Sequence, residues 1–304
     1  MHKFALISED GKFVVLAYHS YLAKISVEFG AALEFLSFNG QAIVDFIADS
    51  QELVNNYRNY YSGAILAPFA GRIPNGTFTF QGNTYSFPLN NGENAIHGYV
   101  ADKPFEVKSI GTTETSSHAT LECKIEPING FPFTYRCQAS YEVNELGLHM
   151  EVKIINESEN PMPCFLGFHP YFCHSEKINT CVLDFWPSEK YVMVNVIPTG
   201  EKIPYHHQKG EIGNEQYDDC FIVEKQEENL TAVLANPVTN LETYIYASPS
   251  MSHLQIYTPP HRASIAIEPQ MAPANAFNLY PDAYSILPGQ EMSFWCKIKA
   301  KVTN

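Results

Sequence analysis

From Thr134 to Val143 polar and apolar residues alternate without a break: Tyr135, Cys137, Ala139, Tyr141 and Val143 hold the odd positions, and polar side chains the even ones. A helix would scatter these residues around its circumference, whereas a strand gathers them on one face, because successive side chains point to opposite sides. The stretch predicts a strand with one dry and one wet face. Similar short segments, rich in β-branched and aromatic residues, recur at Lys12–Tyr18, Ala23–Phe29, Thr77–Phe80, Thr84–Leu89, Ala119–Ile125, Phe133–Val143 and Leu148–Ile155. Turn residues such as Gln81-Gly82-Asn83 and Asn144-Glu145-Leu146-Gly147 separate them. Only Ser50–Tyr60 reads as a helix, with Ser50 or Asp49 as its cap. The pattern predicts a mostly β fold, a large antiparallel β-sandwich in which two sheets share one core. No repeat, low-complexity tract or Gly/Ser linker interrupts it, so residues 1–304 are expected to form a single domain.

Charge and hydropathy narrow the partners. The chain has 304 residues with 19 Lys+Arg against 33 Asp+Glu, a formal charge of −14. Its basic residues are mostly scattered singlets, apart from Lys297, Lys299 and Lys301 near the C-terminus. Phosphate neutralisation needs clustered Lys and Arg, which argues against nucleic acid. Nor does any stretch approach the ~20 apolar residues of a spanning helix, which argues against a membrane partner. The apolar run near Met1 is short and meets Glu9 and Asp10 at once, so the expected location is cytoplasmic. Seven cysteines, an odd number without a C-x-x-C pair, suggest reduced thiols packed as small apolar side chains.

Four stretches combine a titratable side chain with turn residues. In Gly71-Arg72-Ile73-Pro74-Asn75-Gly76 a lone arginine sits among apolar residues, either paired with a core carboxylate or poised to grip ligand oxygens. Asn90–Gly98 ends in His97-Gly98 and offers donors and acceptors of the kind polyhydroxylated ligands need, although a loop histidine can equally be solvated. His169 is embedded in Phe165–Phe172 and held toward extended backbone by Pro170. It reads as a core histidine or as an acid whose pKa an anionic neighbour would raise. Glu268 closes the apolar run from Ser264 and precedes Pro269, as a structural partner for an arginine or as a general base. The cluster Cys164, His169, Cys173, His174 and Cys181 has irregular spacings, unlike the repeated tight pairs of zinc sites, so no metal is assigned. A nucleophile elbow, a P-loop and a dinucleotide fingerprint are absent from the sequence.

Taken in order, these stretches resemble the aldose 1-epimerase family, the galactose mutarotases. The resemblance rests on Gly71–Phe78, Asn91–Gly98, Gly167–Phe172, Asp218-Asp219-Cys220-Phe221, Gln255-Ile256-Tyr257-Thr258 and Glu268-Pro269-Gln270. It implies a galactose mutarotase-like supersandwich and cofactor-free interconversion of the α and β anomers of free hexoses such as glucose and galactose. By the same resemblance Glu268 is the base at the C1 hydroxyl and His169 the acid at the ring oxygen. Arg72, His97, Asp218 and Gln255 would bind the small-molecule aldohexose, with Asp219 the less favoured register. Departures from the family pattern fall at Gly71 (an asparagine in the family), Cys173-His174, Pro259-Pro260 and Pro273-Ala274-Asn275. They motivate one alternative, a catalytically silent sugar-binding or regulatory module. A sugar-phosphate epimerase would need a cationic cradle that this acidic chain does not suggest.

Overall fold

A computed structural model describes residues 3–46, 57–174 and 176–303. The alternating stretch forms the strand Tyr135–Asn144, and its odd residues Tyr135, Cys137, Ala139, Tyr141 and Val143 are at most 1% exposed. On the wet face Arg136 pairs with Glu122 and Glu157 at 2.7 and 2.6 Å. This strand sits between Ser116–Ile125 and Gly147–Asn156 with uninterrupted antiparallel register. Among the described residues these belong to a nine-stranded sheet that continues through Glu291–Val302 and Leu241–Ala247.

The facing sheet has thirteen described strands. Its path runs from the N-terminal strands through Gln41–Asp45, Tyr171–Phe172, Ile265–Gln270, His253–Tyr257 and Asp218–Val223 to the edge hairpin Pro187–Val194 and Ile197–Pro204. The chain thus has the mostly β, antiparallel sandwich that its sequence pattern predicted, in the supersandwich form that the family resemblance implied.

Buried apolar side chains from both sheets make one contiguous core. Several polar groups that cross it are hydrogen-bonded, as burial favours. Tyr141 donates to the carbonyl of Ala31 at 2.6 Å, Ser117 to that of Ala17 at 2.7 Å, and Tyr21 to that of Ala300 at 3.0 Å. Each bond ties one sheet to the other. All seven cysteines are free thiols and six are buried, consistent with their use as small apolar side chains.

One local expectation changes. The helix expected over Ser50–Tyr60 lies largely outside the described residues, and its described end, Tyr57–Tyr60, is a single 3-10 turn. The stretch around His169 contributes Gly167–His169 and Tyr171–Phe172 to the larger sheet. Among the described residues no helix is long and apolar enough to cross a membrane.

Candidate active site

Two prolines open the centre of the larger sheet. The strand Ile265–Gln270 is buried on both faces, and it pairs with Gly167 through Gln270 and with Tyr171 through Ala266. Between these points the ladder thins to one long bond, from the Ile267 amide to the Pro170 carbonyl at 3.4 Å, because neither Pro170 nor Pro269 has an N–H to give. Continuing the register across the gap sets His169 directly opposite Glu268. Their side chains meet there, with Nε2 of His169 3.3 Å from Oε1 of Glu268. Two residues on, Gln270 points to the same face, as strand periodicity requires, and donates its amide to Oε2 of Glu268 at 3.0 Å. The second carboxylate oxygen is thereby occupied and the first left facing the histidine.

Both members of the pair are almost fully buried, at 5% and 2% exposure. Burial disfavours the charged form of each group. It pushes the imidazole of His169 down to about 3. It pushes Glu268 well above the usual carboxylate range, an effect that neighbouring Asp218 reinforces and Gln270 and Arg72 partly oppose. Burial thus favours the arrangement in which a proton held by the pair lies on Glu268 and His169 is neutral. Tyr171 stacks on His169 with ring centroids 5.1 Å apart, and His97 meets it edge-on at 5.2 Å.

His97 follows the short strand Asn94–Ile96, which pairs with Arg72–Pro74. Its Nδ1 accepts a hydrogen bond from the Gly71 amide at 3.1 Å, and its own amide donates to the Gly71 carbonyl at 3.0 Å. An imidazole that accepts at Nδ1 carries its proton on Nε2, so His97 is a neutral donor. Burial above all, with His169 and Arg72 nearby, keeps it well below the ordinary histidine value. The following Gly98 is obligatory: it has φ +66°, and a Cβ there would lie 2.0 Å from the Ala67 carbonyl oxygen.

Arg72 finds no carboxylate within ion-pair distance among the described residues. Its Nε donates to the Asn91 side-chain oxygen at 3.0 Å. Of its two sequence readings, the structural ion pair is thus not the one seen. Asp218 accepts from Gln255 at 3.1 Å, and burial raises its pKa despite Arg72. Asp219 faces the other side of the strand, where Lys190 pairs with it at 3.2 Å, so alternation decides between the two aspartates.

Arg72, His97, His169, Asp218, Gln255 and Glu268 all line one cavity of about 220 Å³. Tyr61, Tyr171, Tyr257, Asn91 and Gln270 complete its walls, and Met193 and Val196 add an apolar side. Asn91, Tyr171, Tyr257 and Gln270 fall inside the stretches that carry the family resemblance, and Gln270 is also marked by its two-residue step from Glu268. Met193 and Val196 come from a hairpin with no motif at all.

The departures at Gly71 and Ala274 prove to be one feature. Gly71 has φ +68°, and a Cβ on it would stand 2.4 Å from Cβ of Ala274. The two small residues let the loops touch where a larger side chain at 71 would need Ala274 to move. Cys173 and His174, by contrast, leave the cavity. His174 is buried with Nε2 2.7 Å from the Thr243 hydroxyl, a core histidine tying the sheets together. Among the described residues no three His, Cys, Asp or Glu side chains converge as a metal site, the spaced cluster around His169 included.

The aldose 1-epimerase family model matches residues 13–299. The chain belongs to the aldose 1-epimerase family. An uncharacterized Escherichia coli K12 protein, YihR, is 26% identical over 286 residues, 88% of this chain and 87% of that one. The galactose mutarotase of Sus scrofa is 28% identical over 182 residues, 57% of this chain and 51% of the relative. A galactose mutarotase-like protein of Clostridium acetobutylicum shares the fold with a TM-score of 0.87 at 19% identity, covering 99% of this chain and 98% of the other.

Proposed function

We propose that this protein is an aldose 1-epimerase that interconverts the α and β anomers of free aldohexoses such as glucose and galactose. The observation that carries the reading is the 3.3 Å contact between His169 Nε2 and Glu268 Oε1 at the wall of a polar cavity. A hemiacetal bears both reacting oxygens on one carbon, so its acid and base have to be neighbours.

In the proposed reaction the Glu268 carboxylate takes the proton of the C1 hydroxyl while protonated His169 gives one to the ring oxygen. The C1–O5 electron pair leaves with O5, and C1–O1 becomes a carbonyl. Rotation about C1–C2 presents the other carbonyl face, and the same transfers in reverse close the ring to the other anomer. After ring opening the proton sits on Glu268 and His169 is neutral, which is the arrangement that burial favours. Desolvation thus pulls both transfers toward the open chain, and the pair is poised for closure.

His97, as an Nε2–H donor, would steady the ring oxygen or an adjacent hydroxyl. Arg72, Asp218 and Gln255 would hold the remaining hydroxyls. Polarimetry on freshly dissolved α-D-glucose and α-D-galactose, with chelator present, tests the reading. Faster relaxation to the unchanged final rotation is expected. Sugar binding without acceleration would instead make the protein a silent sugar-binding module.

A further inference from the structure

The edge hairpin Pro187–Val194 and Ile197–Pro204 turns through two residues, Asn195 and Val196, between the paired Val194 and Ile197. Both have positive φ, +50° and +59°. A two-residue hairpin of this hand calls for Asn-Gly. Asparagine tolerates the left-handed region, but a β-branched valine there is a genuine outlier, disfavoured by about 1–3 kcal/mol.

Such a conformation persists only where its surroundings impose it. The hairpin is anchored below its tip: Tyr191 is buried, and its hydroxyl lies 2.9 Å from that of Tyr280 and 3.3 Å from Nε2 of His253. A register shift between Tyr191 and Met193 re-aims the strand before the turn. Val194 is left 58% exposed, while Met193 and Val196 line the sugar cavity. In sheet order the hairpin lies beyond the Asp218 strand, which lies beyond Gln255 and Glu268. Met193 and Val196 therefore face the cavity from the side away from the His169–Glu268 pair.

We propose that Val196 is a sugar-contacting residue. Its isopropyl group, backed by Met193, is an apolar lip against the C–H groups at C3 and C4, the sugar edge opposite the reacting C1–O5 bond. This rests on the proposed anomerase reading. The strained backbone is what carries the side chain over the cavity, so strain and binding are two faces of one placement.

The test is polarimetric KM and kcat for galactose and glucose with Val196→Gly, Val196→Asn and Val196→Ile, beside thermal unfolding. Glycine and asparagine both suit the turn, and asparagine keeps bulk while removing apolarity. Both should raise KM about five- to tenfold with kcat retained, and Val196→Asn should melt at or above the wild-type temperature. Val196→Ile should keep the wild-type KM. Lower affinity without lower stability is an outcome that a purely structural residue cannot give. Wild-type acceleration together with an unchanged KM in Val196→Gly and Val196→Asn would overturn the lip alone. A wild type that accelerates neither sugar would overturn the anomerase reading itself.

Discussion

The strands Tyr135–Asn144 and Ile265–Gln270 are built on opposite terms. The first has one dry and one wet face and an unbroken ladder on both sides, and its charges are solvated ion pairs. The second is buried on both faces, carries Pro269, and places Glu268 where the ladder toward His169 is thinned. A regular strand spends its polar residues on solubility. An interrupted one can hold a carboxylate out of water, where its proton affinity rises and a histidine can share the proton.

Glu268→Gln should break the comparison most severely. It removes the proposed base while preserving shape and a hydrogen-bonding group, so activity should fall about 10²- to 10⁴-fold. Near-normal relaxation of optical rotation by the variant would sink the assigned role.

The pH profile sharpens the same contrast. The proposed reaction requires one proton on the pair. A second proton reaches His169 only far below 6.5, since burial lowers it to about 3. The single proton leaves only above the raised value of Glu268. The kcat/KM profile should therefore stay flat from pH 6.5 well into the acid range and fall on the alkaline side. An acid limb centred near 6.5 would mean an ordinary solvated histidine acting alone.

Smaller effects belong to the regular strand and concern stability. Tyr141→Phe leaves the buried Ala31 carbonyl without its donor and should destabilise by about 1–3 kcal/mol, read as a lower denaturation midpoint with unchanged activity. Arg136→Ala, on the wet face of the same strand, removes screened ion pairs and should change stability by about 1 kcal/mol or less. A loss larger than that of Tyr141→Phe would contradict the division into dry and wet faces.

Alternation made Tyr135–Val143 legible because a half-buried strand writes its two environments directly into the chain. Ile265–Gln270 carries no such record: with both faces buried, apolar residues sit on each, and Glu268 stands out only as an exception. The prolines at 170 and 269 were visible as residues, but not as a matched pair of missing donors. Asp218 and Asp219 are equivalent neighbours in sequence, and the partner each meets, Gln255 or Lys190, distinguishes them. The Gly71 departure likewise acquires meaning only beside Ala274.

The sequence by itself determined the class of fold, through the period of its apolar residues. It also determined the inventory of acid, base and amide groups, through motifs that resemble a known family. Tertiary structure decided which of those groups share a cavity and how their proton affinities shift, because proton affinity depends on desolvation and on neighbours far away in the chain. It also brought Met193 and Val196 to that cavity, since a hairpin's reach is set by the sheet that anchors it.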